Sequence, residues 1–177
     1  MAKILYIDPS KCTGCRTCEL VCSIKNEGMV NPVLSRIRII ADKYQGLRVP
    51  MVCQQCQEAV CVSVCPVGAL KRDTELGTVR LDEDKCIGCK VCVLTCPFGG
   101  AAINPLSGEI FKCELCDGDP ECVNFCEDKA ITYVDPDVLL MDKKREALQN
   151  HAALFEKYGI RGGVVRVAEV ETYRPRG

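Results

Sequence analysis

The sequence predicts an α+β chain. Two small units of short strands and helices, one nested within the other, are followed by a C-terminal helix and an extended tail. Three observations carry this reading. All sixteen cysteines of the 177 residues fall into four groups of four. Short β-prone segments and turn residues flank each group, in a repeat of very roughly 30 to 40 residues. Past Asp137 this pattern gives way to one of helical period.

Taken in order, Lys3 to Asp8 has β character through Ile4, Leu5 and Ile7, and leads into group one: Cys12, Cys15, Cys18 and Cys22. Residues 23–52 are an insertion in which Arg36 to Ile40 alternates as a strand, with Leu47 to Met51 as its hairpin partner. Group two is Cys53, Cys56, Cys61 and Cys65; after it, Ala69 to Arg72 pairs with Thr78 to Leu81 around Glu75-Leu76-Gly77. Group three is Cys86, Cys89, Cys92 and Cys96; after it, Ala101 to Asn104 pairs with Glu109 to Lys112 around Pro105 to Gly108. Group four is Cys113, Cys116, Cys122 and Cys126, followed by a last strand, Ala130 to Val134, closed by Asp135-Pro136. The flanks of groups one and three match, Asp8-Pro-Ser-Lys-Cys12 against Asp82-Glu-Asp-Lys-Cys86. Residues 53–108 therefore read as a compact inner unit, and residues 1–22 with 109–135 as an outer unit around it.

The stretch from Asp137 to Tyr158 contains no Gly or Pro, and Met141, Leu148, Ala152 and Phe155 recur at helical spacing. That is one face of an amphipathic helix, ended by Gly159. The remainder of residues 136–177 is an extended tail with a β-prone Gly163 to Val170. Two readings stand for this region: a helix packed on the chain's own units, or a helix and tail that wrap a partner subunit. His151, the only histidine, falls on this helix far from any cysteine group and reads as a solvated helix residue.

Groups one and three have the spacing C-x2-C-x2-C-x3-C, and Pro97 follows the fourth cysteine of group three. This is the ligand run of a bacterial ferredoxin, whose fourth cysteine serves the other cluster of a pair. A [4Fe–4S] cube needs four thiolates approaching from different directions. Three cysteines at i, i+3 and i+6 wrap a loop around one corner, and the fourth ligand comes from elsewhere. The cysteine four residues after the third is expected to begin a short helix pointing towards the neighbouring cluster. Pro66 and Pro97 fit a chain redirected at that point. Groups two and four keep their four ligands but widen the second gap, with Gln57 to Val60 and Asp117 to Glu121. Longer loops change the backbone N–H groups and solvent near sulfur, which tune potential. The units are thus ferredoxin-like, each expected to hold two [4Fe–4S] clusters, four in all.

Other uses of cysteine fit less well. Disulfides belong to the secretory route, whereas the apolar stretch Ile4 to Ile7 ends at Asp8 and is too short for a signal peptide. Structural zinc takes pairs of C-x2-C, or a pair with histidines, a dozen or more residues apart. No run of 18 or more apolar residues is present to span a bilayer, and the expected location is cytoplasmic. A formal charge of -1 and the lack of a basic patch give no attraction to nucleic acid. Aromatic residues make up only 5%, so clusters must supply interior volume, and the apoprotein is expected to be largely unstructured. No nucleotide-binding glycine motif and no nucleophile beside a histidine is present, and every cysteine is accounted for as a ligand. These features point away from an enzyme and towards one-electron transfer.

The runs KCTGCRTCELVC, CQQCQEAVCVSVCP, KCIGCKVCVLTCPFG and KCELCDGDPECVNFC resemble the four-cluster iron–sulfur subunits of the dimethyl sulfoxide reductase iron–sulfur family, over about residues 3 to 135. The resemblance implies crossed ligation. One cluster would take Cys12, Cys15 and Cys18 with Cys126, and its mate Cys113, Cys116 and Cys122 with Cys22. A third would take Cys53, Cys56 and Cys61 with Cys96, and the fourth Cys86, Cys89 and Cys92 with Cys65. Family members commonly carry a histidine within group two, where this chain has Gln54-Gln55. The resemblance further implies a non-catalytic subunit between an external donor or acceptor, such as a further electron-transfer subunit or a ferredoxin, and a large catalytic subunit, often with a tungsten or molybdenum pterin. The small form is similar to the subunits paired with tungsten enzymes of the aldehyde oxidoreductase class, including the benzoyl-CoA reductase complex. The alternative is a free-standing polyferredoxin that shuttles electrons between enzymes.

Overall fold

Among the described residues the strands are three or four residues long, so none is stable alone, and each is paired in a two-stranded antiparallel ribbon beside a cysteine loop. The computed structural model describes residues 2–42, 44 and 46–157. β1 (Ile4–Ile7) pairs with β8 (Ile131–Val134), Ile4 opposite Val134 and Ile7 opposite Ile131, joining the start of the chain to the segment after group four. β2 (Arg38–Ala41) pairs with β3 (Arg48–Met51), β4 (Leu70–Arg72) with β5 (Val79–Leu81), and β6 (Ala101–Ile103) with β7 (Ile110–Lys112). Every hairpin expected from the sequence is present; most strands are trimmed by one residue, and the one expected from Arg36 to Ile40 is shifted to Arg38–Ala41.

Helices lie over the ribbons. α1 (Thr17–Glu27) packs on α4 (Glu121–Asn124), and α2 (Val60–Ser63) packs on α3 (Val91–Thr95). α1 is longer than the expected short helix. Between Cys22 and Gly28 nothing breaks it, and it ends where Gly28 takes a left-handed φ of 69° with its N–H on the Ile24 carbonyl. The expected helix starting at each fourth cysteine is corrected by the structure. All four helices start just before the third cysteine, and in groups two to four they end at or before the fourth. In groups one and three the start is set by a left-handed residue, Arg16 or Lys90, each with φ of 64°.

Two apolar cores result. One gathers Ile37, Ile39, Val52, Leu115 and Ile131 with Cys18, Cys22, Cys53, Cys113 and Cys122. The other gathers Ala59, Leu70, Val79, Ala101 and Ile110 with Cys92, and Cys56, Cys61, Cys65 and Cys86 pack on it. Cysteine thus fills the interior that a chain with so few aromatic residues leaves open.

The chain divides into two units, one ending at Pro136 and the other beginning at Asp137. The last strand ends at Val134, before Asp135-Pro136 as expected, and Pro136 does more than close it. It is the first residue of α5 (Pro136–Lys157), where its missing N–H is harmless and its fixed φ suits the helix. The expected stop at Gly159 and the β-prone tail Gly163 to Val170 lie outside the described residues. Among the described residues no helix is long and apolar enough to cross a membrane.

Candidate cluster-binding site

The loops that present the cysteines share one backbone device. The residue before the second cysteine of each group has a left-handed conformation: Gly14 (φ 76°), Gln55 (48°), Gly88 (64°) and Leu115 (57°). Successive N–H groups in such a turn face one side and form a concavity that attracts negative charge. Groups one and three place glycine there at no steric cost. Groups two and four place Gln and Leu there, and group four continues left-handed through Cys116 and Asp117. A non-glycine residue in that region costs roughly 1–3 kcal/mol, which surrounding contacts must offset.

A second device follows the fourth cysteine. Gly68, Gly99 and Lys129 each lie three residues past Cys65, Cys96 and Cys126, each with positive φ and an N–H on that cysteine's carbonyl. The turn aims the next N–H at sulfur: Ala69 donates to Cys65 Sγ and Gly100 to Cys96 Sγ, both at 3.2 Å. Group one has no such turn because α1 runs on through Cys22. There the insertion takes over, with Arg36 N–H donating to Cys22 Sγ at 3.3 Å and Asn26 Nδ2 at 3.6 Å. Arg36, Asn26 and the left-handed residues are parts of the site that spacing arguments missed.

The structure brings cysteines of different groups together. Cys12, Cys15 and Cys18 line one cavity with Cys126, closed by Ile39, Pro50 and Ile131. Cys113, Cys116 and Cys122 line another with Cys22, beside Ile37 and Val52. Cys86, Cys89 and Cys92 line a third with Cys65, beside Leu70 and Ile110. For the remaining four, Cys61 lies within electrostatic reach of Cys53 and Cys96. Gly100 sets the approach of Cys96 to Cys53: a Cβ there would lie 2.7 Å from Cys53 Cα.

The chemistry of this donor set fits [4Fe–4S] clusters. Among the described residues no three such side chains converge on a single point as one metal ion requires. A cluster has no such requirement, because each thiolate binds its own iron. Burial pushes the thiol of Cys113 up to about 12, and burial with the neighbouring Glu19 does the same for Cys18. Cys122 is raised as well, chiefly by burial. At Cys65 and Cys96 burial also opposes the thiolate, yet the surrounding N–H groups outweigh it and lower both. Loading the buried thiols therefore releases protons, which a metal centre with strong affinity for thiolate, as iron has, displaces. Cys15 and Cys89 are the two exposed cysteines.

Known proteins match on these same segments. Residues 44–135 match the model of the 4Fe-4S dicluster domain, and residues 5–23 that of the 4Fe-4S binding domain. The chain is 43% identical to the aliphatic sulfonate oxidoreductase polyferredoxin-like subunit of Pyrococcus furiosus, over 70% of this chain and 71% of that one. It is 35% identical to the electron transport protein HydN of Escherichia coli, over 76% of this chain and 89% of that one. Among solved structures, the BamBC active-site complex of benzoyl-coenzyme A reductase aligns over 97% of this chain and 98% of that one, at 26% identity and a TM-score of 0.47. On the family match and these relatives, the chain belongs to the 4Fe-4S dicluster-domain family and is an iron–sulfur electron-transfer protein of the kind found as subunits of oxidoreductases.

Proposed function

We propose that the chain binds four [4Fe–4S] clusters with crossed ligation and relays single electrons between a large catalytic subunit and an external donor or acceptor. The observation that carries this is the set of three cavities, each lined by three cysteines of one group and the fourth cysteine of another. Cys53, Cys56, Cys61 and Cys96 form the fourth set. Residues 1–22 with 109–135 then make the outer unit and 53–108 the inner one. The pairing of β1 with β8 and the packing of α2 on α3 support that division.

When bound, the clusters supply reversible one-electron redox chemistry. The protein's part is to hold them close and dry. Neighbouring sulfurs give the order: Cys18 is within electrostatic reach of Cys122, Cys113 of Cys53, and Cys61 of Cys92. The four sets thus follow one line, and its two ends hold the exposed Cys15 and Cys89, where electrons would enter and leave. The oxidoreductase subunit from Pyrococcus furiosus supports a catalytic partner, for which we propose a tungsten or molybdenum pterin enzyme. A further electron-transfer subunit or a ferredoxin would meet the opposite end.

The test is anaerobic purification from the native host through a tag on this chain, with metals counted per polypeptide. About sixteen irons, from four clusters of four, with tungsten or molybdenum in a co-purifying subunit, is the expected result. Iron without partner or second metal would leave a free-standing shuttle. Zinc in place of iron would overturn the proposal.

A further inference from the structure

Three lysines each precede the first cysteine of a group, and their surroundings differ. Lys11 and Lys85 are exposed and paired with Asp8 and Asp82. Lys112, before Cys113, is 3% exposed. Its Nζ donates to the carbonyls of Val79 and Cys113, the latter at 3.2 Å, and among the described residues it joins no ion pair. A buried ammonium without an anion is strongly unfavourable, and two neutral carbonyls do not neutralise it.

The missing anion is supplied by what lies on either side. Lys112 sits on β7, opposite Ala101 of β6, and Ala101 follows the Gly100 that donates to Cys96 Sγ. On its other side is Cys113 itself. Gln55, between Cys53 and Cys56, ties the same points together. Its Nε2 donates to the Cys113 carbonyl at 2.8 Å, and its Oε1 accepts from Val79 N–H at 2.8 Å. Lys112 and Gln55 thus clasp one peptide carbonyl of group four and both backbone groups of one β5 residue, Val79, at the junction of two cysteine sets. Lys112 also lies within electrostatic reach of the sulfurs of Cys61 and Cys113, one from each set.

We infer that the buried Lys112 ammonium is the fixed counter-charge of the two middle clusters, and that it raises the reduction potential of both relative to the end clusters. This rests on the four-cluster reading above. Reduction places one more negative charge in each middle site while no bond there forms or breaks. A neighbouring fixed cation stabilises the reduced form more than the oxidised one. Gln55 acts by positioning the carbonyls that hold the ammonium.

The experiment is an anaerobic redox titration of the whole protein, with dithionite as reductant and electron paramagnetic resonance as the readout. Wild type is compared with Lys112→Met and Lys112→Arg. Lys112→Met is expected to make reduction of two of the four clusters about tenfold less favourable, a shift of ~59 mV for a one-electron couple, and to leave the other two in place. Lys112→Arg, which keeps the charge, restores the wild-type pattern. Four unmoved potentials in a fully loaded Lys112→Met protein, or a uniform shift of all four, would overturn the inference. If Lys112→Met loses iron while Lys112→Arg stays loaded with the wild-type potentials, the charge is required at the middle sites, which supports the counter-charge; equal loss in both makes Lys112 a packing residue and refutes it. Absence of cluster signals in wild type would instead strike the four-cluster reading.

Discussion

Gly100→Ala is a small change with a large expected effect. Gly100 is buried and its φ is not in the left-handed region, so alanine faces no conformational barrier there. The obstacle is steric. The added Cβ would lie 2.7 Å from Cys53 Cα, 3.0 Å from Cys53 Cβ and 3.3 Å from Cys53 N. Carbon atoms rest at about 3.5–4.0 Å, so one backbone must move by roughly 1 Å. Neither segment moves freely, since Cys53 begins group two and Gly100 N–H holds Cys96 Sγ at 3.2 Å. Overpacking of this kind costs about 1–3 kcal/mol. Cluster loss is irreversible, so the relevant quantity is a rate. If the whole cost appears in the barrier, bleaching of the visible absorbance in anaerobic urea quickens by about 5- to 150-fold. Gly99→Ala is the comparison: its φ is 61° and nothing lies within 4 Å, so only the backbone term of about 1–2 kcal/mol applies. A Gly100→Ala protein with full iron and wild-type bleaching would refute the account of how Cys96 reaches Cys53.

Two further predictions follow from side chains near group one. Cys18→Ser and Cys22→Ser change neighbours on the same helix, yet should remove different clusters. The signal lost in Cys22→Ser should be the one lost in Cys113→Ser, and the signal lost in Cys18→Ser the one lost in Cys126→Ser, by electron paramagnetic resonance. Loss of one and the same signal from Cys18→Ser and Cys22→Ser would end crossed ligation. Glu19 is 2% exposed and its Oε1 accepts from Ile39 N–H at 2.6 Å. Glu19→Ala leaves that buried donor unpaired at a cost of about 1–3 kcal/mol, whereas Glu19→Gln keeps an acceptor. The bleaching assay should rank wild type and Glu19→Gln well above Glu19→Ala, and equal rates for the two variants would exclude this role.

The hairpins were legible because their signals are local: β-prone residues on either side of Glu75-Leu76-Gly77 or Pro105 to Gly108, with the pairing found where expected. The helix after Asp137 was legible for the same reason. What the sequence hid depends on which N–H groups sulfur needs. The helix starts were misplaced because the signal, a left-handed Arg16 or Lys90, is a residue whose type gives no hint of positive φ. Leu115 is the extreme case, a branched residue held left-handed in the wide loop of group four. Lys112 was hidden differently. Its strand, Ile110 to Lys112, is buried at all three positions, so the alternation that separates core from surface is absent. The same Lys-Cys step appears in groups one and three with an exposed lysine.

The insertion reads as a digression in sequence and proves to be part of the site. Three groups end in a turn that points an N–H back at the fourth sulfur or its carbonyl, and group one cannot, because α1 continues to Glu27. Cys22 is buried, so its sulfur needs a donor from elsewhere. Residues 35–39 meet that need from outside the group. Ser35 and Ile37 lock each other through the Ser35 hydroxyl, which donates to the Ile37 carbonyl at 2.7 Å and accepts from its N–H at 3.2 Å. Between them the Arg36 N–H is fixed on Cys22 Sγ, and its side chain is anchored by Glu27 at 3.1 Å and over the Phe111 ring. Ile39 N–H then closes on Glu19, one residue past Cys18. The insertion therefore touches both cysteine sets to which α1 contributes, and shortening it would expose two sulfur sites rather than one loop.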